Sequence, residues 1–287
     1  MVQILTEFDT YRDFINEINA DPDFSEPMLQ TEEQTEDNLN RALLSPDMIP
    51  LGVFSGSEMT GLFVFLVLDD DRYIEMLVGL SREPDAYEEI ADWLQARYSG
   101  YQVDFVFNPK NRAIVSALQK RGAAFYPEQI KMVLTEDTAS VDTTGIEPLS
   151  DRYRDPYIAL HSTDVYWTGD KVANALDMFN VFLAVENGSV VGYIDVTKNN
   201  EENEPFDFLV REDRRRHGWG RKLLAKAIET NRPKRIMVIV EVDNAPAIAL
   251  YRSMGFSNAQ EPGSRVATWM IGQPDASTGQ KDSANEI

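Results

Sequence analysis

The second half of the chain contains a short segment in which arginines and glycines directly follow a predicted strand. It reads VREDRRRHGWGRKLL over residues 210–224 and continues as an amphipathic helix. Gly218 and Gly220 have no side chains that would keep a ligand away from the backbone. A helix N-terminus offers unpaired N–H donors and the positive end of the helix dipole. This combination predicts a site that binds phosphate groups.

The basic residues of this segment form a dense cationic patch in an otherwise acidic chain. They are Arg211, Arg214, Arg215, Arg216, Arg221 and Lys222. Two common phosphate motifs are absent, since GxxxxGK[ST] does not occur and Gly218-x-Gly220 lacks the third glycine of a dinucleotide fingerprint. A basic turn that only faces solvent is the alternative interpretation.

A second motif lies downstream, NAPAIALYRSMGF over residues 244–256. The basic segment resembles motif A of the GNAT superfamily of acyl-CoA-dependent N-acyltransferases, [QR]-x-x-G-x-[GA], through Arg215, Gly218 and Gly220. The downstream run resembles motif B, in which an Asn opens a helix, a Tyr follows seven residues later and a Gly-Phe pair ends it. The resemblance covers about residues 145–271.

The resemblance implies acetyl-CoA, or a short acyl-CoA, as co-substrate. It assigns cofactor binding to Leu209, Val210, Arg215, Arg216, His217, Gly218, Trp219, Gly220, Arg221 and Asn244. The turn would hold the pyrophosphate, with His217 and Trp219 contributing backbone donors only. Leu209 and Val210 would hydrogen-bond the pantetheine, the Val210 N–H would polarise the thioester carbonyl, and Asn244 would touch the pantetheine.

Two kinds of proton transfer are implied by the same resemblance. Tyr251 would act as the general acid that protonates the departing thiolate. The base would be Asp207, Glu204 or an ordered water. Asp207 interrupts an apolar strand, which would raise its pKa if it is buried, and a solvent-facing carboxylate is the alternative. Glu204 is expected at the surface, and His161 in packing or at the surface.

The acceptor would be a primary amine, carried by a small molecule or a peptide. Tyr157, Tyr166 and Trp167 would either line the amine site or belong to the core. A protein that binds CoA without turnover is the alternative function. Aminoacyl transfer from tRNA is disfavoured by the charge of the chain.

Composition narrows the choice of partners. The chain of 287 residues has 48 acidic and 27 basic residues, a net charge of -21, two histidines and no cysteine. Such a charge disfavours nucleic acid and anionic membranes and favours a cationic amine. Few metal-ligating side chains remain, so no metal is expected. Without a signal-like or membrane-spanning run, we expect a cytoplasmic protein; its oligomeric state stays open.

The two halves of the chain have predicted strands and helices in the same order, and in the second half these elements position the two motifs. In the second half we predict strands at 182–186, 190–196, 206–210, 235–240 and 266–271 and helices at 219–229 and 245–253, with Asn187-Gly188 as a hairpin turn and 235–240 fully buried. In the first half we predict strands at 49–54, 62–68, 73–80, 103–107 and 129–134 and helices at 84–98 and 112–121. The repeated order favours two copies of one fold.

The predicted fold is therefore α/β (α+β): two tandem GNAT-like domains, each a mixed, mostly antiparallel sheet flanked by helices. We predict a degenerate domain at 1–134, a linker at 135–145, a catalytic domain at 146–272 and a flexible tail at 273–287. An offset of 133 residues places Asp85 and Tyr87 of the first half at the positions of Gly218 and Gly220. Because an acid repels phosphate and side chains block close backbone approach, we expect the first half to lack acyl-CoA turnover.

Overall fold

The chain divides into two compact units, which are described separately. The computed structural model describes residues 1–136, 140–163 and 165–272. Among these residues, the first unit contains Met1–Gln129 together with 260–272, and the second contains Ile130–Ala259. The predicted tail at 273–287 and residues 137–139 of the predicted linker lie outside the described residues.

The first unit begins with a sheet of five strands in sequence order. Its strands are β1 Val2–Ile4, β2 Met48–Ser55, β3 Glu58–Leu68, β4 Tyr73–Leu80 and β5 Gln102–Phe107, and its helices are α1 Arg12–Asn19, α2 Glu32–Leu44, α3 Pro84–Gln95 and α4 Arg112–Lys120. All neighbours are antiparallel except β4 and β5, which run parallel because α3 connects them. Strand β6, Ala124–Leu134, follows α4. Helices α1 and α2 were not predicted.

The second unit repeats this order. Its elements are β7 Ile146–Pro148, α5 Arg154–Leu160, α6 Gly169–Asn174, β8 Phe179–Glu186, β9 Ser189–Thr197, β10 Glu202–Asn203, β11 Pro205–Val210, α7 Trp219–Asn231, β12 Arg235–Glu241, α8 Ala245–Ser253 and β13 Phe256–Asn258. The hairpin turn between β8 and β9 is confirmed, since Asn187 and Gly188 both have positive φ, 51° and 78°. Both residues of a tight I′ turn require this conformation, which Asn and Gly adopt most easily.

The strands that close the two sheets are not those predicted. Strand β14, Ser264–Met270, pairs with β5 and with the first half of β6, so it belongs to the first unit. The last residues of β6 pair with β13, with Leu134 opposite Phe256. Residues 266–271 therefore do not close the second sheet, and 129–134 do not close the first. Alternation of apolar residues predicts a strand but does not specify its partner.

This arrangement changes the division of the chain. Trp269 and Ala267 of β14 are buried in the core of the first unit, and Met132 of β6 is buried in that of the second. Within the described residues, the second unit is one continuous segment, Ile130–Ala259, which begins inside β6 and ends before β14. The boundaries predicted at 134 and 146 do not coincide with these units.

Two apolar cores lie in the second unit, and each packs helices against one face of its strands. Leu223 and Leu224 of α7 pack with Phe208 and Val210 of β11. Helices α5 and α6 pack with β8 and β9, and Tyr157 and Tyr193 are both fully buried there. Strand β12 is not fully buried as predicted, because Ile239 is 36% exposed. Among the described residues, no helix is long and apolar enough to cross a membrane.

Candidate active site

An opening between two neighbouring strands of the second unit creates the site. Strand β10 pairs in parallel with β12 only at Glu202–Arg235 and Asn203–Ile236. Strand β11 continues the chain but pairs with β9 through Val210. Beyond Asn203, β11 and β12 therefore belong to different sheets and separate. Backbone groups on the β12 side of β11 are left without a strand partner.

Alternation along β11 decides which backbone groups face this opening. The Arg211 N–H donates to Val191 O on β9, so the Leu209 backbone also points toward β9. A Cβ added at Gly192 would lie 2.7 Å from Leu209 O, which confirms this direction. The Val210 N–H points the opposite way, into the opening. Of the two residues predicted to hydrogen-bond the pantetheine, Val210 therefore directs its N–H into the opening, and the Leu209 backbone points toward β9.

The turn after β11 presents further backbone donors. Arg216 and Gly218 have φ of 66° and 85°, a left-handed conformation that directs successive N–H groups to one side. Gly218 is the N-cap of α7 and supplies no side-chain acceptor to the first turn. The N–H groups that open α7 consequently remain available to an anion.

These elements enclose a cleft of about 660 Å³. It is lined by Val210, Arg214, Arg215, Arg216, Gly218, Trp219, Gly220 and Arg221 from β11, the turn and α7, and by Pro246, Ala249 and Leu250 from α8. The structure thus brings together seven of the ten predicted cofactor residues. Leu209, His217 and Asn244 do not line the cleft. The three α8 residues were missed, although their i, i+3, i+4 spacing places them on one helix face.

Ion pairs already neutralise part of the basic segment. Arg214 donates to Glu186 at 2.7 Å, and Arg211 donates to Asp213 at 2.9 Å. The Arg215 Nε donates to Val210 O, which ties the turn to the end of β11. Arg216 is exposed in the cleft, and its side chain has no hydrogen-bond or ion-pair partner among the described residues. Arg216 is therefore the cation best placed to meet an anionic ligand.

Helix α8 carries the two remaining motif residues. The Asn244 side chain accepts a hydrogen bond from Ala247 N and caps the helix. Tyr251 is 5% exposed and packs against Phe256. Its hydroxyl has no hydrogen-bond partner within the described chain, and burial raises the pKa of this phenol, so it is protonated at neutral pH. Tyr251 follows the cleft residue Leu250 directly.

The two candidate bases lie in different environments. Asp207 is buried, and both of its carboxylate oxygens accept hydrogen bonds, from Phe208 N and from the Tyr193 hydroxyl at 2.8 Å each. Glu204 is half-buried rather than at the surface, at the junction of β10 and β11. Its carboxylate has no hydrogen-bond or ion-pair partner among the described residues, although the charges of Lys131 and Glu202 act on it. Burial raises the pKa of Glu204 to about 7, and Lys131 partly opposes this shift.

The aromatic candidates separate into two groups. Tyr157 is fully buried, and its hydroxyl donates to Asp195 at 2.7 Å, so it belongs to the core. Tyr166 and Trp167 are half-buried and touch edge to face, and the Lys171 ammonium lies 3.8 Å from the centre of the Tyr166 ring. Across residues 1–136, 140–163 and 165–272, no group of three His, Asp or Glu side chains could hold a metal ion.

In the first unit, two side chains hydrogen-bond the backbone of Gly79, near the end of β4. Tyr87 is buried at the start of α3 and donates to Gly79 O. Glu26 reaches the same residue and accepts from Gly79 N at 2.8 Å. Burial raises the pKa of Glu26 to about 8. Leu118 stands in the core where the second unit has Tyr251. These contacts support the expectation that the first unit does not turn over acyl-CoA.

Comparison with known proteins agrees with this geometry. Residues 146–256 match the model of the acetyltransferase (GNAT) family. The chain carries a domain of the GNAT acetyltransferase family. The match spans β7 to the start of β13 of the second unit, including the turn, α7 and α8. No curated protein gives a significant match.

Several solved structures are similar in fold, and one of them is described as a tandem protein. A tandem GNAT protein from the clavulanic acid biosynthesis pathway is 15% identical with a TM-score of 0.55, and the match covers 96% of this chain and 99% of that one. A GCN5-related N-acetyltransferase from Sphaerobacter thermophilus is 12% identical with a TM-score of 0.59, covering 94% and 95%. A putative GNAT acetyltransferase from Novosphingobium aromaticivorans is 16% identical with a TM-score of 0.52, covering 77% and 92%. The tandem GNAT-like fold therefore extends over nearly the whole chain.

Proposed function

We propose that the second unit is an N-acetyltransferase that transfers an acetyl group from acetyl-CoA to a primary amine. The observation that carries this proposal is the cleft in which the Val210 N–H, the left-handed turn and the N-terminus of α7 converge. Family membership supports acyl transfer as the reaction class. The acidity of the chain supports a cationic amine as acceptor, because it biases encounter toward cations.

The cleft suits acetyl-CoA as a substrate in two respects. The turn at Arg216 and Gly218 and the first N–H groups of α7 would hold the pyrophosphate, and the Arg216 guanidinium would pair with its charge. Pro246, Ala249 and Leu250 supply an apolar wall for the pantetheine. Asn244 remains a predicted pantetheine contact, although its side-chain oxygen also caps α8.

Direct attack of the amine on the thioester needs stabilisation of one developing charge and two proton transfers. The Val210 N–H would donate to the carbonyl oxygen as it becomes negative. The attacking nitrogen forms the C–N bond and loses a proton, while the C–S bond breaks and the thiolate takes a proton. Tyr251 would supply that proton, since its hydroxyl is protonated and makes no competing hydrogen bond in the described chain.

We assign the role of base to Glu204 in preference to Asp207. A general base needs a free lone pair and a pKa near the working pH. Glu204 has both, because its carboxylate is unpaired among the described residues and its pKa is about 7. Both oxygens of Asp207 already accept hydrogen bonds. The second candidate from the sequence thus fits the chemistry better than the first.

Two measurements test this function together. Calorimetry measures CoA binding to the wild type and to Arg216→Ala, and thiol release from acetyl-CoA is followed across polyamines, amino acids, aminosugars and peptide N-termini. We expect CoA to bind, Arg216→Ala to weaken binding about tenfold, and at least one amine to release thiol. Arg112→Ala in the first unit is the matched control and leaves binding unchanged. Binding without thiol release from any amine would favour a non-catalytic CoA-binding protein.

A further inference from the structure

A buried polar cluster lies between α5 and the strands β9 and β11, on the opposite face of β11 from α7. It consists of Tyr157, His161, Tyr193, Asp195 and Asp207. None is more than 7% exposed, and the His161 side chain is fully buried. Its Nε2 lies 2.9 Å from one oxygen of Asp195 and 3.4 Å from one oxygen of Asp207. The sequence singled out Tyr157, His161 and Asp207 individually, and it predicted neither Tyr193 and Asp195 as members nor any of these contacts.

Hydrogen-bond donors fix where the protons of this cluster lie. The His161 Nδ1 contacts Ser162 O at 3.0 Å, and a carbonyl oxygen only accepts, so Nδ1 carries a proton. Tyr157 and Tyr193 donate their hydroxyl protons to Asp195 and Asp207. If Nε2 had no proton, its lone pair would face two carboxylate oxygens. A proton on Nε2 donates to both and makes His161 an imidazolium.

The electrostatic balance agrees with this assignment. Burial alone would lower the pKa of His161, but the hydrogen bonds to Asp195 and Ser162 and the charges of Asp195 and Asp207 outweigh it, so the pKa lies above its usual value. Burial raises the pKa of Asp195 to about 6, against the hydrogen bonds from His161 and Tyr157. One oxygen of Asp195 has no hydrogen-bond partner in the described chain. The cluster therefore depends on the imidazolium for its charge compensation.

His161 also has a particular place in the chain. It is the C-cap residue of α5, at the start of the segment that leads to α6. Gly169, the first residue of α6, packs so closely that an added Cβ would lie 2.7 Å from the His161 Cβ. His161 thus joins the α5–α6 segment to two strands at once.

The same segment reaches the part of β11 where the acceptor must lie. Trp167 contacts Phe179, and Phe179 contacts Phe206, with ring centres 5.1 and 6.1 Å apart. Phe206 is 38% exposed and lies between the proposed base Glu204 and the cleft residue Val210. An amine that reaches both the base and the thioester must lie along this stretch of β11.

We propose that protonated His161, held between Asp195 and Asp207, is a positioning residue that fixes the α5–α6 segment as the acceptor side of the active site. It does not touch substrate. It acts through the placement of Trp167 and Phe206. This inference rests on the proposed function, because the acceptor is defined by it.

The expected pH dependence of acceptor binding follows from the groups that face His161. They are Tyr157 from α5, Tyr193 and Asp195 from β9, and Asp207 from β11, while α6 contributes Gly169, which does not titrate. Because the folded-state pKa of His161 is raised, its stabilising contribution is complete below the ordinary value near 6.5. It is lost as the pH rises through the folded-state pKa. Acceptor binding should weaken on that alkaline side.

Steady-state kinetics of full-length His161→Gln against wild type tests the role. At neutral pH we expect the KM for the best amine to rise about tenfold, because the variant loses a charged hydrogen bond. The KM for acetyl-CoA should stay within twofold of the wild-type value. The ratio of the amine KM of His161→Gln to that of the wild type does not depend on ionisation of the amine, because this affects both values equally. The ratio should fall toward one at high pH, where His161 of the wild type is neutral. The double variant His161→Gln/Asp195→Asn replaces the charged pair by two amides and should recover most of the loss.

Asp104→Asn in the first unit is the control for the Asp195→Asn change of the double variant, because it also converts a partly buried, hydrogen-bonded carboxylate to an amide. It should leave both KM values unchanged. Equal rises in both KM values for His161→Gln, or a KM ratio that does not change with pH, would overturn the positioning role. If His161→Gln does not fold, Tyr157→Phe, which removes one hydrogen bond to Asp195, should raise only the amine KM, about threefold.

Two measurements on the wild type do not depend on turnover. The protein has two histidines, so ¹⁵N NMR of the imidazoles should show His161 protonated on both nitrogens at neutral pH. Amide exchange in α5 and α6 should accelerate as His161 titrates, more than in α7. A neutral His161, or uniform exchange, overturns the inference even if acetyl transfer is found. Absence of thiol release with a doubly protonated His161 rejects the proposed function instead.

Discussion

At the residue scale, the proposed chemistry depends on Tyr251 for protonation of the leaving thiolate. Tyr251→Phe removes only a hydroxyl that makes no hydrogen bond in the described chain, so the fold should be retained. We expect kcat to fall 100-fold or more, with the KM for acetyl-CoA unchanged, because general acid catalysis contributes on the order of 10² to 10⁴. Thiol-release kinetics measures both. Tyr101→Phe in the first unit is the control, and equal activity of the two variants would rule out Tyr251 as the acid.

The raised pKa of Glu204 predicts how the rate depends on pH. A base must be deprotonated to act, so kcat/KM should rise with pH through about 7 and level off above it, as the pKa of Glu204 requires. Glu204→Gln should abolish this rise and lower kcat about 100-fold. Asp207→Asn is the comparison, and it should change the amine KM more than it changes kcat. If Asp207→Asn instead removes the acidic limb, Asp207 is the base.

The types of residue in the sequence allowed the cleft to be predicted more accurately than the groups that would act as acid and base. Arg215, Gly218 and Gly220 were recognisable because glycine and positive charge at a helix start have few other uses. Glu204 was predicted at the surface because it lies at the start of a strand, beside Pro205. Its burial arises from the junction of β10 and β11, where the chain leaves one strand partner for another. No local pattern in the sequence specifies that change.

At the element scale, the backbone of the turn is the feature that shapes the cleft. Gly218→Ala places a Cβ in open space but forces a residue with a side chain to adopt a φ of 85°. That conformation costs about 1–2 kcal/mol, so the Tm should fall by a few degrees. Calorimetry should also show weaker CoA binding, because the Cβ lies at the cleft.

Gly188→Ala is the matched control for this prediction, since Gly188 has a φ of 78° in the hairpin turn between β8 and β9. It should lower the Tm by a similar amount and leave CoA binding unchanged. Weaker CoA binding in both variants would mean that lost stability, rather than the shape of the turn, explains the effect.

Most elements were predictable from local patterns, and their partners were not. Helix α8 was predicted with the bounds that the structure has, because Asn244, Pro246 and Gly255 mark its ends. The strand β14 was also predicted, but in the wrong unit. Which sheet a strand completes depends on contacts between residues far apart in sequence, such as Trp269 with Val103.

At the scale of the whole molecule, the stability of two fragments tests the strand pairing, in which the end of β6 pairs with β13 of the second unit and β14 pairs with β5 of the first. Residues 130–259 should unfold cooperatively and bind CoA, because they include the part of β6 that pairs with β13. Residues 146–272 lack Met132, a fully buried core residue whose loss alone costs about 2–5 kcal/mol. Circular dichroism should show a lower Tm, or no cooperative transition, for this second fragment. Equal stability of the two fragments would contradict the pairing.

The two ends of the segment Ile130–Ala259 lie close together. The Ala259 N–H donates to Lys131 O. In the first unit Gln129 stands opposite Ser264, and only residues 260–263, QEPG, would separate them after excision of Ile130–Ala259. Four residues with Pro and Gly are an ordinary hairpin loop. Residues 130–259 therefore form a segment that genetic deletion or transplantation could move as one piece.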